Sequence, residues 1–323
     1  MLKKSTQHCA DCPIFRGRGE RYSGERKIIM ALLKHLLAAT DLSAPARHAV
    51  ERAALVCQEI GASLDLLHVA NLAPLERLRQ LMLETPAELQ QRILNAAREK
   101  LHELAESLHK SCDVSVGTRV VFGSLLAELA KEPEAMAADL IVCGARGESF
   151  MRHLLLGSTA ERMLSETKCP MLVVKQAAYG PYRTLLVPVD FSPSSLRAIG
   201  NARAVAPHAD IVLLHVFEVP FEGYLRYASV DEDTINHYRV IAKQEAAQKL
   251  LALIQETELP LNAARSIVLH GDPSLRIVEQ EQELNCDLIV MGKHGENMLE
   301  ELFLGSVTKH VLAESQCDVL VSV

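Results

Sequence analysis

The chain has 323 residues, of which 49% are hydrophobic and 23% charged, a globular balance with length for about two domains. A net charge of −7 supplies no basic field for nucleic acid or an anionic membrane, and 4% aromatics without Trp leave little for single-stranded bases to stack on. No apolar run approaches the ~20 residues of a membrane span, and eight cysteines scattered among apolar neighbours suit buried free thiols in a reducing, cytoplasmic compartment.

Residues 1–35 read as a polar, flexible leader. Its Cys9-x2-Cys12, next to His8, offers zinc fewer than four ligands, and no second Cys or His pair follows, so an unmetallated leader is the expectation. The apolar stretch 28–39 is interrupted by Lys34 and His35 and lacks a secretory cleavage site.

Beyond the leader, short apolar runs near 36–40, 64–69, 116–122, 139–143 and 170–174 read as strands buried on both faces. Between them, 44–60 reads as a helix that Gly61 stops. A longer helix is expected over 86–110, where Leu89, Ile93, Ala97, Leu101, Leu104 and Leu108 recur at helical spacing. A linker at 176–182 contains Gly180 and Pro181, and the same strand–helix order then repeats to residue 323.

The second half copies the first. Leu36-Leu-Ala-Ala-Thr-Asp41-Leu-Ser matches Leu185-Leu-Val-Pro-Val-Asp190-Phe-Ser, Leu64-Asp-Leu-Leu-His-Val69 matches Ile211-Val-Leu-Leu-His-Val216, and Asp139-Leu-Ile-Val-Cys-Gly144 matches Asp287-Leu-Ile-Val-Met-Gly292. Offsets of 149, 147 and 148 residues across most of a domain mean two copies of one fold, not a solenoid. The expectation is an α/β protein of two tandem doubly wound domains, 36–175 and 183–323, each a parallel sheet with helices on both faces.

The strongest chemical signal follows the fourth strand of each copy. Gly144-Ala-Arg-Gly147 is followed after nine residues by Gly157-Ser158, and Gly292-Lys-His-Gly295 after nine residues by Gly305-Ser306. The first glycines let the backbone turn off a strand end and approach a ligand closely. The later Gly-Ser opens a helix whose free N–H groups and dipole favour an anion. Turn glycines and an N-capping serine account for either copy alone. The position decides for a phosphate cradle, because strand ends of doubly wound sheets are where such folds take ligands. Arg146 is a cation beside the first cradle, with Lys293 read as its counterpart in the second. Glu300 and Glu301 replace Arg152 and His153, which weakens polyphosphate binding in the second copy unless a divalent cation intervenes.

On these motifs, both copies resemble the universal stress protein family, in its ATP-binding branch, whose phosphate motif is Gly-x2-Gly-x9-Gly-(Ser/Thr). The resemblance implies a five-stranded sheet of order 3-2-1-4-5 in each domain. It places Thr40, Asp41, Val189 and Asp190 at the adenine and ribose, Val69 and Val216 against the adenine, and Gly144 and Gly292 against the ribose. It gives the phosphates to Gly147, Gly157, Ser158 and Thr159, with Arg146 nearby, and to Gly295, Gly305, Ser306, Val307 and Thr308. It implies ATP as ligand, with Mg²⁺ as a candidate companion, and pairing of the two copies through 171–174 and 319–323, which leaves a pseudo-dimer able to pair again as a homodimer.

No Walker motif, GxGxxG or Ser-His-Asp arrangement competes. His68 and His215 lie in apolar strands and read as satisfied core residues; Asp41 and Asp190 are ligand contacts, helix N-caps or turn residues, with Ser43 and Ser192 as competing caps. The segment 217–238, with Phe221, Tyr224, Tyr227 and Tyr238, reads as flanking an apolar ligand or packing over a sheet edge. Three functions follow: an ATP-binding stress-response switch whose segments near 70–90 and 217–235 move; a slow ATPase or phosphotransfer enzyme, which needs more carboxylates than the strand ends supply; and an interaction scaffold holding another ligand.

Overall fold

The computed structural model describes residues 32–71, 86–145, 164, 167–257, 259, 264–295 and 304–323. The leader with Cys9 and Cys12, the stretch 72–85, and Arg152, His153, Glu300 and Glu301 lie outside them.

The first copy runs β1 (His35–Ala39), α1 (Ala44–Ile60), β2 (Ser63–Ala70), α2 (Pro86–Cys112), β3 (Val116–Phe122), α3 (Leu125–Ala135), β4 (Leu140–Gly144) and β5 (Met171–Val174). The second runs β6 (Thr184–Pro188), α4 (Pro193–Val205), β7 (Asp210–Phe217), α5 (Glu222–Tyr227), α6 (Glu232–Glu256), β8 (Ala264–His270), α7 (Pro273–Leu284), β9 (Leu288–Gly292), α8 (Ser306–Glu314) and β10 (Asp318–Ser322). Local chemistry sets these limits. Ser43 caps α1 by accepting from the Ala46 N–H, and Gly61 ends it in the left-handed conformation at φ 72°. Asp272 caps α7 through the N–H groups of Ser274 and Leu275. Helix α2 continues two residues beyond the expected end at Lys110, to Cys112.

The ten described strands form one sheet of order β3-β2-β1-β4-β5-β10-β9-β6-β7-β8. Read inward from either edge, each copy has the order 3-2-1-4-5. Pairing is parallel within a copy, as in Leu36 opposite Leu140 and Leu185 opposite Leu288. It is antiparallel at the joint, where β5 meets β10 with Leu172 opposite Leu320. Alternate residues of each strand feed opposite faces. Leu36, Ala38, Leu64 and Leu66 pack on the face covered by α1 and α2, while Leu37, Leu67, Ile141 and Cys143 pack on the other. Two buried faces explain why the strands are continuous apolar runs and not alternating ones.

A buried polar clasp ties the copies beside β10. Asp318, 1% exposed, accepts from the Tyr182 hydroxyl at 2.7 Å and from the N–H groups of Lys175 and Gln176, and its Oδ2 lies 3.4 Å from Arg52 Nε. Arg52 also donates to the Gly180 carbonyl and stacks over the Tyr182 ring. The Lys175 ammonium donates to the carbonyls of Leu312 and Ser315, where α8 ends. Burial lowers the Lys175 pKa and raises that of Asp318; the N–H of Lys175, the Tyr182 hydroxyl and the Arg52 charge pull Asp318 back.

Of the two readings of the aromatic segment, packing over the sheet edge fails for three of its four rings. Phe221, Tyr224 and Tyr227 are 77%, 74% and 90% exposed, so they do not pack over the sheet edge. Helix α5 is held by polar contacts: Glu222 pairs with Arg239 and Arg226, and with His270 at 2.9 Å. Among the described residues no helix is long and apolar enough to cross a membrane. The described cysteines, Cys57, Cys112, Cys143, Cys169, Cys286 and Cys317, are all free thiols.

Candidate functional site

In the second copy β6 and β9 are neighbours whose onward connections run to opposite sides of the sheet. That reversal opens a crevice at their C-terminal ends, where doubly wound sheets receive ligands. A cavity of about 260 Å³ occupies it. Its lining gathers Val189 and Asp190 after β6, Val216 of β7, Gly292 and Gly295 at the end of β9, and Gly305, Ser306, Val307 and Thr308 at the start of α8. Every residue that the resemblance assigns to the second pocket therefore meets around one space.

Each element is placed by identifiable contacts. The N–H of Gly305 donates to the Lys293 carbonyl, which brings the two halves of the glycine motif together. The Thr308 hydroxyl donates to the Gly292 carbonyl at 3.0 Å. Gly305 occupies the N-cap of α8 with no side-chain cap, so Ser306 is the first helical residue and not the cap. Among the described residues no side chain caps the leading N–H groups of α8, whose Ser306, Val307 and Thr308 line the cavity, the arrangement that attracts anions. A Cβ on Gly292 would come within 2.7 Å of Ser194 Cβ, so the glycine is needed for the close packing of β9 against the start of α4. A Cβ on Gly295 would lie 3.0 Å from Asp190 Oδ2.

The aspartate turn is built alike in both copies. The residue after it, Leu42 or Phe191, is left-handed at φ 64° or 65°, a costly conformation for a large side chain. The bend lets one aspartate oxygen accept the N–H two residues on, Ser43 to Asp41 and Ser192 to Asp190. Ser43 and Ser192 serve as the helix caps, so neither aspartate is needed to cap its helix. His68 and His215 buttress these turns from β2 and β7 through Nδ1, 2.9 Å from the Thr40 carbonyl and 2.8 Å from the Val189 carbonyl. A carbonyl only accepts, so Nδ1 carries the proton; both histidines are satisfied at Nδ1 as expected, but half-buried and not in the core.

In the first copy Thr40, Asp41, Val69 and Gly144 stand at the matching ends of β1, β2 and β4. Arg146, Gly147, Gly157, Ser158 and Thr159 lie outside the described residues. One pairing needs correction. Counted from the leading glycine, Arg146 corresponds to His294, while Lys293 corresponds to Ala145. Lys293 is 3% exposed, and it is His294 that lines the cavity. Residues not anticipated from the motif complete the wall: Pro188, Leu214, Met291, Pro273 and Ile277 supply apolar surface, and Ser195 reaches Asp190. Ser195 was legible only as a hydroxyl five residues after the aspartate; Pro273 and Ile277 arrive through tertiary packing of α7.

The sequence profile of the Universal stress protein family matches this chain twice, over residues 33–175 and 181–322. The chain is a tandem universal stress protein. A universal stress protein of Methanocaldococcus jannaschii is 30% identical over 152 residues, which span 43% of this chain and 94% of that protein. A universal stress protein of Mycolicibacterium smegmatis is 26% identical over 296 residues, 88% of this chain and 96% of that one. Among solved structures, that of a universal stress protein from Archaeoglobus fulgidus superposes with a TM-score of 0.66 at 22% identity, covering 89% of this chain and 97% of that one, and so shares the fold. In this universal stress protein, then, the glycine motif and the strand-end aspartate meet at one crevice in the second domain.

Proposed function

We propose that this universal stress protein binds an adenine nucleotide, ATP, at its strand-end crevices and uses occupancy as a signal in stress response. One observation carries the reading: the cavity at the β6–β9 reversal is lined at once by the aspartate turn, the β7 valine, both halves of the glycine motif and the uncapped start of α8. The residues suit the ligand. Val189, Leu214, Val216, Ile277 and Met291 offer an apolar wall for a base. The main-chain N–H groups at the start of α8, where Ser306, Val307 and Thr308 line the cavity, suit a polyphosphate. Mg²⁺ enters as the counter-ion of the polyphosphate, bringing charge neutralisation when bound.

Binding, not turnover, is the role proposed. Asp190 is the one carboxylate among the described lining residues, and one of its oxygens is committed to Ser192 and Ser195. The first domain, with the same aspartate turn, is proposed to hold a second nucleotide. Calorimetric titration with ATP, with and without Mg²⁺, tests the proposal, backed by mass spectrometry of small molecules released from freshly purified, denatured protein. Saturable heat and a released adenine nucleotide are expected; no heat at millimolar ATP and no released nucleotide would overturn it.

A further inference from the structure

The two aspartate turns share a backbone but not a hydrogen-bond set. In the second domain Asp190 Oδ1 accepts the Ser192 hydroxyl and the Ser195 hydroxyl, each at 2.6 Å, and the Ser192 N–H at 3.0 Å. The Ser195 hydroxyl oxygen in turn accepts the N–H of Asp190 at 2.9 Å, closing a ring between the turn and the first turn of α4. Oδ1 is thereby saturated, and the carboxylate plane is fixed by three donors. Oδ2 is left facing Gly295, 3.0 Å from where a Cβ would stand, within the residues that line the cavity. In the first domain the place of Ser195 is taken by Ala46. There Ser43 N–H alone holds Asp41 Oδ1, and Asp41 Oδ2 is buried with no hydrogen bond among the described residues.

We infer that Ser195 is a positioning residue: it locks Asp190 so that Oδ2 is a fixed acceptor for a ligand hydroxyl, which makes the second-domain pocket selective for ribose over deoxyribose nucleotides. This rests on the nucleotide reading above. A carboxylate only accepts hydrogen bonds, so it selects a hydroxyl or N–H and repels phosphate. The anion-attracting end of the cavity is the start of α8, and its apolar wall is built from β7, β9 and α7. The part of a nucleotide that joins base to phosphate and carries neutral donors is the sugar diol. Holding the acceptor in place before binding removes the ordering cost from the bound state, which is where pre-organisation raises affinity. One hydrogen bond to a charged acceptor corresponds to roughly a ten- to hundredfold change in affinity.

The test is calorimetric titration of the full chain with ATP, 2′-deoxy-ATP and 3′-deoxy-ATP, comparing the unmodified protein with Ser195→Ala and Ser195→Thr. In the unmodified protein one binding phase is expected to weaken roughly tenfold or more for at least one deoxy analogue. Ser195→Ala should weaken ATP by a similar factor while leaving that analogue unchanged, so that the ratio collapses towards one. Ser195→Thr, which keeps the hydroxyl, should restore it. A merely structural role would weaken ATP and both analogues together, and that result overturns the inference. So do equal affinities for ATP and both analogues in the unmodified protein, or a ratio that Ser195→Ala leaves intact. Failure of the unmodified protein to bind any of the three would overturn the nucleotide reading as well, which separates the two failures.

Discussion

Replacing Asp318 by alanine strips the acceptor from the clasp that joins the two domains. Its carboxylate is 1% exposed and serves the Tyr182 hydroxyl, two backbone N–H groups and the Arg52 guanidinium. Breaking one partner out of a buried ion pair costs about 3–5 kcal/mol, because the remaining charge stays buried without compensation. Here burial of the carboxylate is itself unfavourable, as its raised pKa shows, which offsets part of the loss and points to the lower end, about 3 kcal/mol. Removing the Tyr182 hydroxyl first takes away one donor that the alanine would orphan. In a Tyr182→Phe background Asp318→Ala should therefore cost about 1–2 kcal/mol less. Urea denaturation followed by far-UV circular dichroism, run as a double-mutant cycle, measures both numbers. Because the clasp lies at the joint, the variant should also begin to unfold in two steps. A loss below about 1 kcal/mol, or strict additivity with Tyr182→Phe, would refute the claim that this cluster holds the domains together.

Burial pushes the thiols of Cys57, Cys143, Cys169 and Cys286 up to about 12, so none of the four is expected to react with a thiol reagent at neutral pH until the protein is unfolded; prompt native labelling of any would contradict this. Gly292→Ala would put a methyl 2.7 Å from Ser194 Cβ, so thermal denaturation should show a loss of about 1–3 kcal/mol, and calorimetry a weaker nucleotide affinity; an unchanged melting temperature would count against the packing argument. The Arg239 guanidinium, with His270 and Arg226, holds the Glu222 carboxyl below the usual carboxylate range. A depressed carboxylate stabilises the fold above its unfolded value and loses that contribution as pH falls through the folded one. Hydrogen-exchange protection in α5, corrected for intrinsic rates, should therefore drop as the pH is taken below about 4.5, and Glu222→Gln should remove that dependence.

Much of this architecture was legible because a sheet buried on both faces writes itself as uninterrupted apolar strands, and duplication writes each strand twice. The helix 44–60 announced both of its ends, Ser43 and Gly61, through local capping chemistry. The glycine motif was readable because its spacing reflects a backbone requirement. What escaped was set by tertiary contact. The burial of Lys293 depends on how its loop lies against β10, through its N–H to the Ser322 carbonyl, and no local pattern reports that. The exposure of Phe221, Tyr224 and Tyr227 arises because Glu222, Arg239 and His270 hold α5 by charge, so its aromatic side chains are not used as anchors. Ser195 resembled any serine in a first helical turn until the fold curled it back onto Asp190.

Hydrogen–deuterium exchange with and without saturating ATP addresses the central claim most directly, since it reports where the nucleotide acts as well as whether it binds. The account predicts slower exchange at 189–192, 292–295 and 304–308, the three stretches that meet at the crevice, together with altered exchange across 217–235 as the signalled change. Identical exchange in the two states, or protection confined to surfaces away from those stretches, would contradict it.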